Sequence, residues 1–252
     1  MQHFVKTYWK TILFFVVIGL VGGFFTGIYM LDSYPEEMKQ EILAQGITKP
    51  ILGLVSAVQS AGYGLVCGAL GIVLGKKTGL WKDERSITKQ PLVAAIVVAV
   101  IGGLALILLD ILYFGRFSQA IMNSYDNNPT VAFMLASVLY GGVIEEVMLR
   151  LFNMSLVAFA LHKLFWRKQE QTPVAALIAA NILSSLLFAA GHLPATQMLM
   201  ELSPMIIFRC FLLNGGVGLL LGWLYRKHGL RYAMIAHAGC HVVSKLIWIL
   251  FI

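Results

Sequence analysis

VAFMLASVLYGGVIEEVMLRLFNMSLVAFA occupies residues 131–160. The run is long enough to cross a bilayer, which needs roughly 20 apolar residues. Its only charges are Glu145, Glu146 and Arg150, clustered near the middle. The surrounding chain is of the same kind: 59% of its 252 residues are hydrophobic and 12% are charged. Soluble domains carry about twice that charge. We therefore expect an all-α, polytopic membrane protein.

Candidate spans fall at about 11–31, 51–75, 92–114, 130–160, 173–192, 204–225 and 230–252. Each pair is separated by a breaker or a charged loop, such as DSYPEE, GKKTGLWKDERSITKQP, HLPATQMLMELSP or YRKHGL. The 19 Lys and Arg residues test this count. Thirteen lie before the first span or in the second, fourth and sixth loops. Three (Lys39, Lys49 and Arg116) lie on the other side, and three (Arg150, Arg209 and Lys245) lie within spans. The positive-inside rule then puts the amino terminus in the cytoplasm and the carboxyl terminus outside. It also accounts for the net charge of +7 without nucleic acid as a partner. The first span is too long for a signal-peptide core and lacks a small-residue cleavage site after it.

Three odd cysteines, Cys67, Cys210 and Cys240, lie in apolar runs and read as buried packing residues. Glycines at four-residue spacing (Gly19/Gly23/Gly27, Gly64/Gly68, Gly71/Gly75 and Gly218/Gly222) read as helix-packing positions. No internal repeat, nucleotide-binding loop or haem motif is present, so no organic cofactor is expected.

Ionisable groups inside a bilayer are costly and mark function by default. Glu146 and Arg150 are four apart and can pair on one helix face. Glu145 points elsewhere and is free to meet a neighbouring helix. His237 and His241 also share a face, and His192 follows Phe188 by one turn, just before Pro194, where a helix can end. A carboxylate with three imidazoles can activate water and stabilise an oxyanion. The same set, Glu145, His192, His237 and His241, could instead hold a divalent ion such as zinc. Arg209 and Lys245 are expected to snorkel or pair locally. His3, His162 and His228 are expected to be solvated.

Three motifs then combine. EEVMLR matches EExxxR, FAAGH matches FxxxH, and HAGCH occupies the place of HxxxN, in that order on successive helices. The chain resembles the CPBP family, which comprises type II CAAX prenyl endopeptidases and bacteriocin-processing (Abi) enzymes. The resemblance covers about residues 130–245, leaving residues 1–129 as three preceding helices and 130–252 as a four-helix core. It implies an intramembrane endopeptidase acting on a membrane-associated or lipidated substrate. It also implies Glu145 as general base with His192 beside it, His237 at the oxyanion, and Glu146, Arg150 and Phe188 in the roles of their motifs. His241 departs from the family's Asn, although imidazole can also donate a hydrogen bond. The resemblance leaves metal dependence open. Two other readings are a non-proteolytic binding or immunity protein on the same scaffold, and a proton-coupled transporter, which would favour inverted repeats.

Depth raises a difficulty. At about 1.5 Å per residue, Glu145 lies ~22 Å from the outer start of its span and His237 ~10 Å from the inner start of its own. His192 lies ~28 Å along a span expected to end there, too close to the outer face unless that helix is offset or tilted.

Overall fold

The computed structural model describes residues 2–83 and 86–252, without the side chains of residues 2, 3 and 5. The expectation for His3 and the topological charge of Arg85 fall outside the described side chains. Among the described residues the protein is helical, with seven helices long and apolar enough to cross a membrane.

In chain order the helices are α1 (Gln2–Ser33), α2 (Glu36–Ala44), α3 (Lys49–Thr78), α4 (Lys89–Leu112), α5 (Gln119–Asn123), α6 (Val131–Phe165), α7 (Val174–Leu199), α8 (Pro204–His228) and α9 (Leu230–Phe251). Helices α2 and α5 are short and lie in the loops after α1 and α4. The other seven are the spans. Leucines and valines facing away from the bundle, such as Leu54, Val55 and Val58, are more than half exposed and form the lipid-facing surface. One buried cluster joins Phe15 of α1, Ile72 of α3, Val98 of α4, Leu151 of α6, Ala180 of α7, Leu221 of α8 and Ala236 of α9. A smaller cluster of Phe114, Ile121, Ile206 and Leu213 closes the opposite end.

Between lipid-like surfaces there is little hydrophobic drive, so helices associate through close backbone approach. The seam between α1 and α3 is of this type. A Cβ on Gly19 would stand 2.6 Å from the Ser60 carbonyl oxygen, and one on Gly64 would stand 2.6 Å from that of Phe15. The tight link between α8 and α9 turns on Gly229, whose φ of 101° suits a residue without a side chain.

Two helices depart from α geometry. Helix α6 is π-helical over Ala136–Glu145 and again over Val147–Met154, and α8 is π-helical over Phe211–Gly215. Such i→i+5 segments are rare and concentrate at functional sites.

The span expected to end at His192 instead runs to Leu199. Pro194 lies inside it, so the segment expected as a loop is mostly helix. The depth difficulty rested on that false terminus. His192 lies seven residues, about 10 Å, short of the helix end, so it does not sit at the outer rim. Lipid-facing helices tolerate proline when neighbouring groups satisfy the freed backbone. Pro194 frees the carbonyl of Ala190, one turn back; the Thr196 hydroxyl donates to a different carbonyl, that of His192, at 2.9 Å.

The seam predicts a contrast between two glycines. Gly23→Val would drive a side chain into Ser60 and the Ser56 carbonyl, an overpacking cost of about 1–3 kcal/mol or more. Gly62→Ala meets nothing within 4 Å. Thermal unfolding in detergent is expected to show a lower midpoint for Gly23→Val and none for Gly62→Ala; equal midpoints would remove the seam as a source of stability.

Candidate active site

The site begins with two missing side chains. Gly141 and Gly142 of α6 lie against α9. A Cβ on Gly142 would stand 2.6 Å from that of Ala238, and one on Gly141 would stand 2.9 Å from His241 Nε2. The two helices thus approach closely in antiparallel register, and the next residues along each, Glu145, Glu146 and His237, meet.

Glu146 is fully buried and Arg150 is 1% exposed. Arg150 Nη1 stands 3.1 Å from Glu146 Oε1, an ion pair one turn along the helix. The same oxygen lies 2.9 Å from His237 Nδ1. Arg150 Nη2 donates to the Gly218 carbonyl on α8 at 3.0 Å. Its guanidinium lies 4.6 Å above the ring of Phe188 on α7. One buried carboxylate and its arginine therefore tie α6, α7, α8 and α9 together. Glu146 Oε2 and Arg150 Nη1 are enclosed without an aligned hydrogen bond.

A carboxylate only accepts, so His237 Nδ1 carries the proton in this contact. Its other nitrogen, Nε2, faces Glu145 Oε2 at 4.0 Å. Glu145 is 19% exposed at its side chain, whereas Glu146 is closed off. Both carboxylates thus address one imidazole from its two ends. Regular α geometry separates adjacent side chains by ~100°, which is why the sequence reading sent Glu145 toward a different neighbour. The wider π turn of α6 brings the two directions closer together.

His192 Nδ1 lies 2.8 Å from the Phe188 carbonyl, an obligate acceptor, so that nitrogen donates and Nε2 is left as the outward-facing position. The Phe188 ring stands edge-to-face with His192 at 4.7 Å and with His237 at 5.8 Å. His241 stacks on His237 with centroids 5.0 Å apart. The structure therefore gathers Glu145, Glu146, Arg150, Phe188, His192, His237 and His241 into one region. Among the described residues, no hydrogen bond or ion pair joins Glu145 to His192 directly. No three His, Cys, Asp or Glu side chains among them are arranged to hold a metal ion. The donor set as placed does not fit a metal centre, and no step below is routed through one.

Other expectations change. Arg209 does not pair locally. It forms a two-pronged ion pair with Asp110 of α4, its Nε donating to Oδ1 at 2.6 Å. Asp110 is 2% exposed and also accepts from the Tyr125 hydroxyl at 2.9 Å. The sequence reading overlooked Asp110, although a lone carboxylate inside a 24-residue apolar helix was the available signal. Lys245 does not snorkel: it is 5% exposed, with Nζ 4.1 Å from the centroid of the Phe133 ring. His162 is not solvated either. It is 8% exposed and bonds Thr172 and the Gln169 carbonyl, because the chain after α6 folds back over it.

Residues 127–243 match the family model described as type II CAAX prenyl endopeptidase Rce1-like. This stretch is similar to that family. The match spans α6 to most of α9 and includes every residue gathered above. No curated protein and no solved structure matches the chain.

The clamp makes a stability prediction. Arg150→Met leaves Glu146 as an uncompensated buried charge, a loss of about 3–5 kcal/mol. The double variant Glu146→Gln/Arg150→Met removes both charges and is expected to unfold at a higher temperature than Arg150→Met alone. The reverse order would show that the pair is not the clamp.

Proposed function

We propose that this protein is an intramembrane endopeptidase that hydrolyses a peptide bond of a membrane-associated substrate. The supporting observation is the pair of carboxylates on one histidine: Glu146 fixes His237 through Nδ1, and Glu145 faces Nε2 across 4.0 Å. A gap of that size suits a bridging water or a reacting oxygen better than a direct bond.

In this reading a water lies against Glu145 in that gap, with His192 nearby. Glu145 takes one proton as the water oxygen adds to the carbonyl carbon of the scissile amide. The carbonyl oxygen becomes an oxyanion, which His241 and the imidazolium form of His237, with a proton on Nε2 as well as Nδ1, stabilise from one face of α9. The carbon–nitrogen bond then breaks, and the departing amine receives the proton held by Glu145. Glu146 and Arg150 do not react in this scheme; they hold His237 in place. The family description points to a prenylated C-terminal CAAX sequence as substrate.

Removing the base tests this reading. Glu145→Gln preserves shape and is expected to lower the cleavage rate by about 10²–10⁴-fold, the usual range for a general base. Its unfolding temperature should stay near that of the unaltered protein, and cleavage by the unaltered protein should survive a chelator. Undiminished cleavage in Glu145→Gln would remove it from the mechanism, and a retained cellular phenotype in that variant would favour a binding role.

The basic loops support an orientation with the amino terminus in the cytoplasm. A cysteine placed at Lys82 in a Cys-free background should react with an impermeant maleimide only after the membrane is opened. Labelling of intact cells would reverse the orientation.

A further inference from the structure

His237, His241 and Lys245 form one stripe along α9 at four-residue spacing. The stripe faces α6: His237 meets Glu146, His241 packs beside Gly141, and Lys245 lies on Phe133. The first two belong to the site already described. Lys245 has no role there.

Its surroundings are unusual for a cation. Among the described residues, no carboxylate forms an ion pair with it and no group accepts a hydrogen bond from it. The ring of Phe133, itself stacked on Tyr29 at 4.1 Å and edge-on to Trp248 at 6.2 Å, is its one polar-face contact. Arg209, the other cation near that end of the bundle, is fully matched by Asp110. A buried ammonium without a counter-ion is costly in a membrane interior, and such residues mark pathways for charged groups. Among the described residues, the enclosed side-chain polar atoms without a hydrogen bond are Glu146 Oε2 and Arg150 Nη1. Lys245 Nζ is not among them, so it keeps some accessible surface.

We propose that Lys245 binds the free α-carboxylate of the substrate's C-terminus and so sets the length of the tail that is released. The proposal rests on the proteolytic reading above. Two turns of helix separate His237 from Lys245, a rise of about 12 Å. An extended tail of three residues spans about 10–11 Å, whereas one residue spans less than about 4 Å. With the scissile carbonyl at His237, the carboxylate of a three-residue tail lies within reach of Lys245. Phe133 holds the ammonium in place through its ring face, at a separation suited to cation–π attraction. The stripe thus carries an oxyanion group at one end and a carboxylate group at the other.

The test uses fluorescent peptides ending in a prenylated cysteine followed by one, three or five apolar residues, each as free acid and as C-terminal amide. The purified full chain is assayed in detergent for cleavage and, by anisotropy, for binding. The three-residue free acid is expected to be cleaved at least about tenfold faster than its amide, the worth of one charge-assisted contact. Lys245→Met should bring that ratio close to one, and Lys245→Arg should restore it. A wild-type ratio near one, or a ratio retained in Lys245→Met, overturns the proposal while leaving proteolysis intact. If no peptide is cleaved but the free acid binds more tightly in a Lys245-dependent way, the carboxylate site stands and the proteolytic reading falls. If neither cleavage nor such binding occurs, both fall.

Discussion

A carboxylate enclosed in a membrane bundle must be paired. Glu146 is the residue on which that constraint falls. Its charge is met by Arg150 on the same helix and by His237 on another, while Arg150 reaches α8 through a backbone carbonyl and α7 through an aromatic face. The ion pair itself stays within α6, but displacing α7, α8 or α9 strips it of a ring face, a backbone carbonyl or an imidazole that it holds while buried. The clamp therefore sets the relative positions of the helices, and the site inherits its geometry from it.

The neighbouring carboxylate has the opposite character. Glu145 is partly exposed and makes no close ion pair. Two identical side chains, adjacent in sequence, are given different environments: one is closed and neutralised, the other open. The π-helical turns of α6 and the glycines before them allow both to address His237. A tighter helix would turn one of them away, and a side chain at Gly142 would hold α9 at a distance.

Charges at the other end of the bundle follow the same logic with different outcomes. Asp110, Arg209 and Tyr125 satisfy one another and tie α4, α8 and the loop between α4 and α6. Burial, with the Asp110 carboxylate beside it, pushes the Tyr125 hydroxyl above its ordinary range, so it remains a donor. Lys245 lies in the same bundle with an aromatic ring for company. One cation serves structure; the other is left with charge to spare.

Much of this was legible in the sequence. Apolar runs broken by charged loops located all seven spans, although α7 runs seven residues past its expected end, because a bilayer demands a length and a composition that few other structures share. Intramembrane charge picked out Glu145, Glu146, His192 and His237, because such groups are too costly to keep without cause. Helical spacing paired Glu146 with Arg150. The rest depended on three-dimensional context. Local proline rules ended α7 at His192, but the helix continues through Pro194 to Leu199. Spacing could not show that Glu146 also holds His237, since that contact joins residues 91 apart. Nor could it assign Arg209 to Asp110, 99 residues away, or leave Lys245 unmatched. Composition and period specify which residues must leave water and which face of a helix they share. Which charge meets which is decided by the approach of helices distant in sequence, and only the folded bundle contains that information.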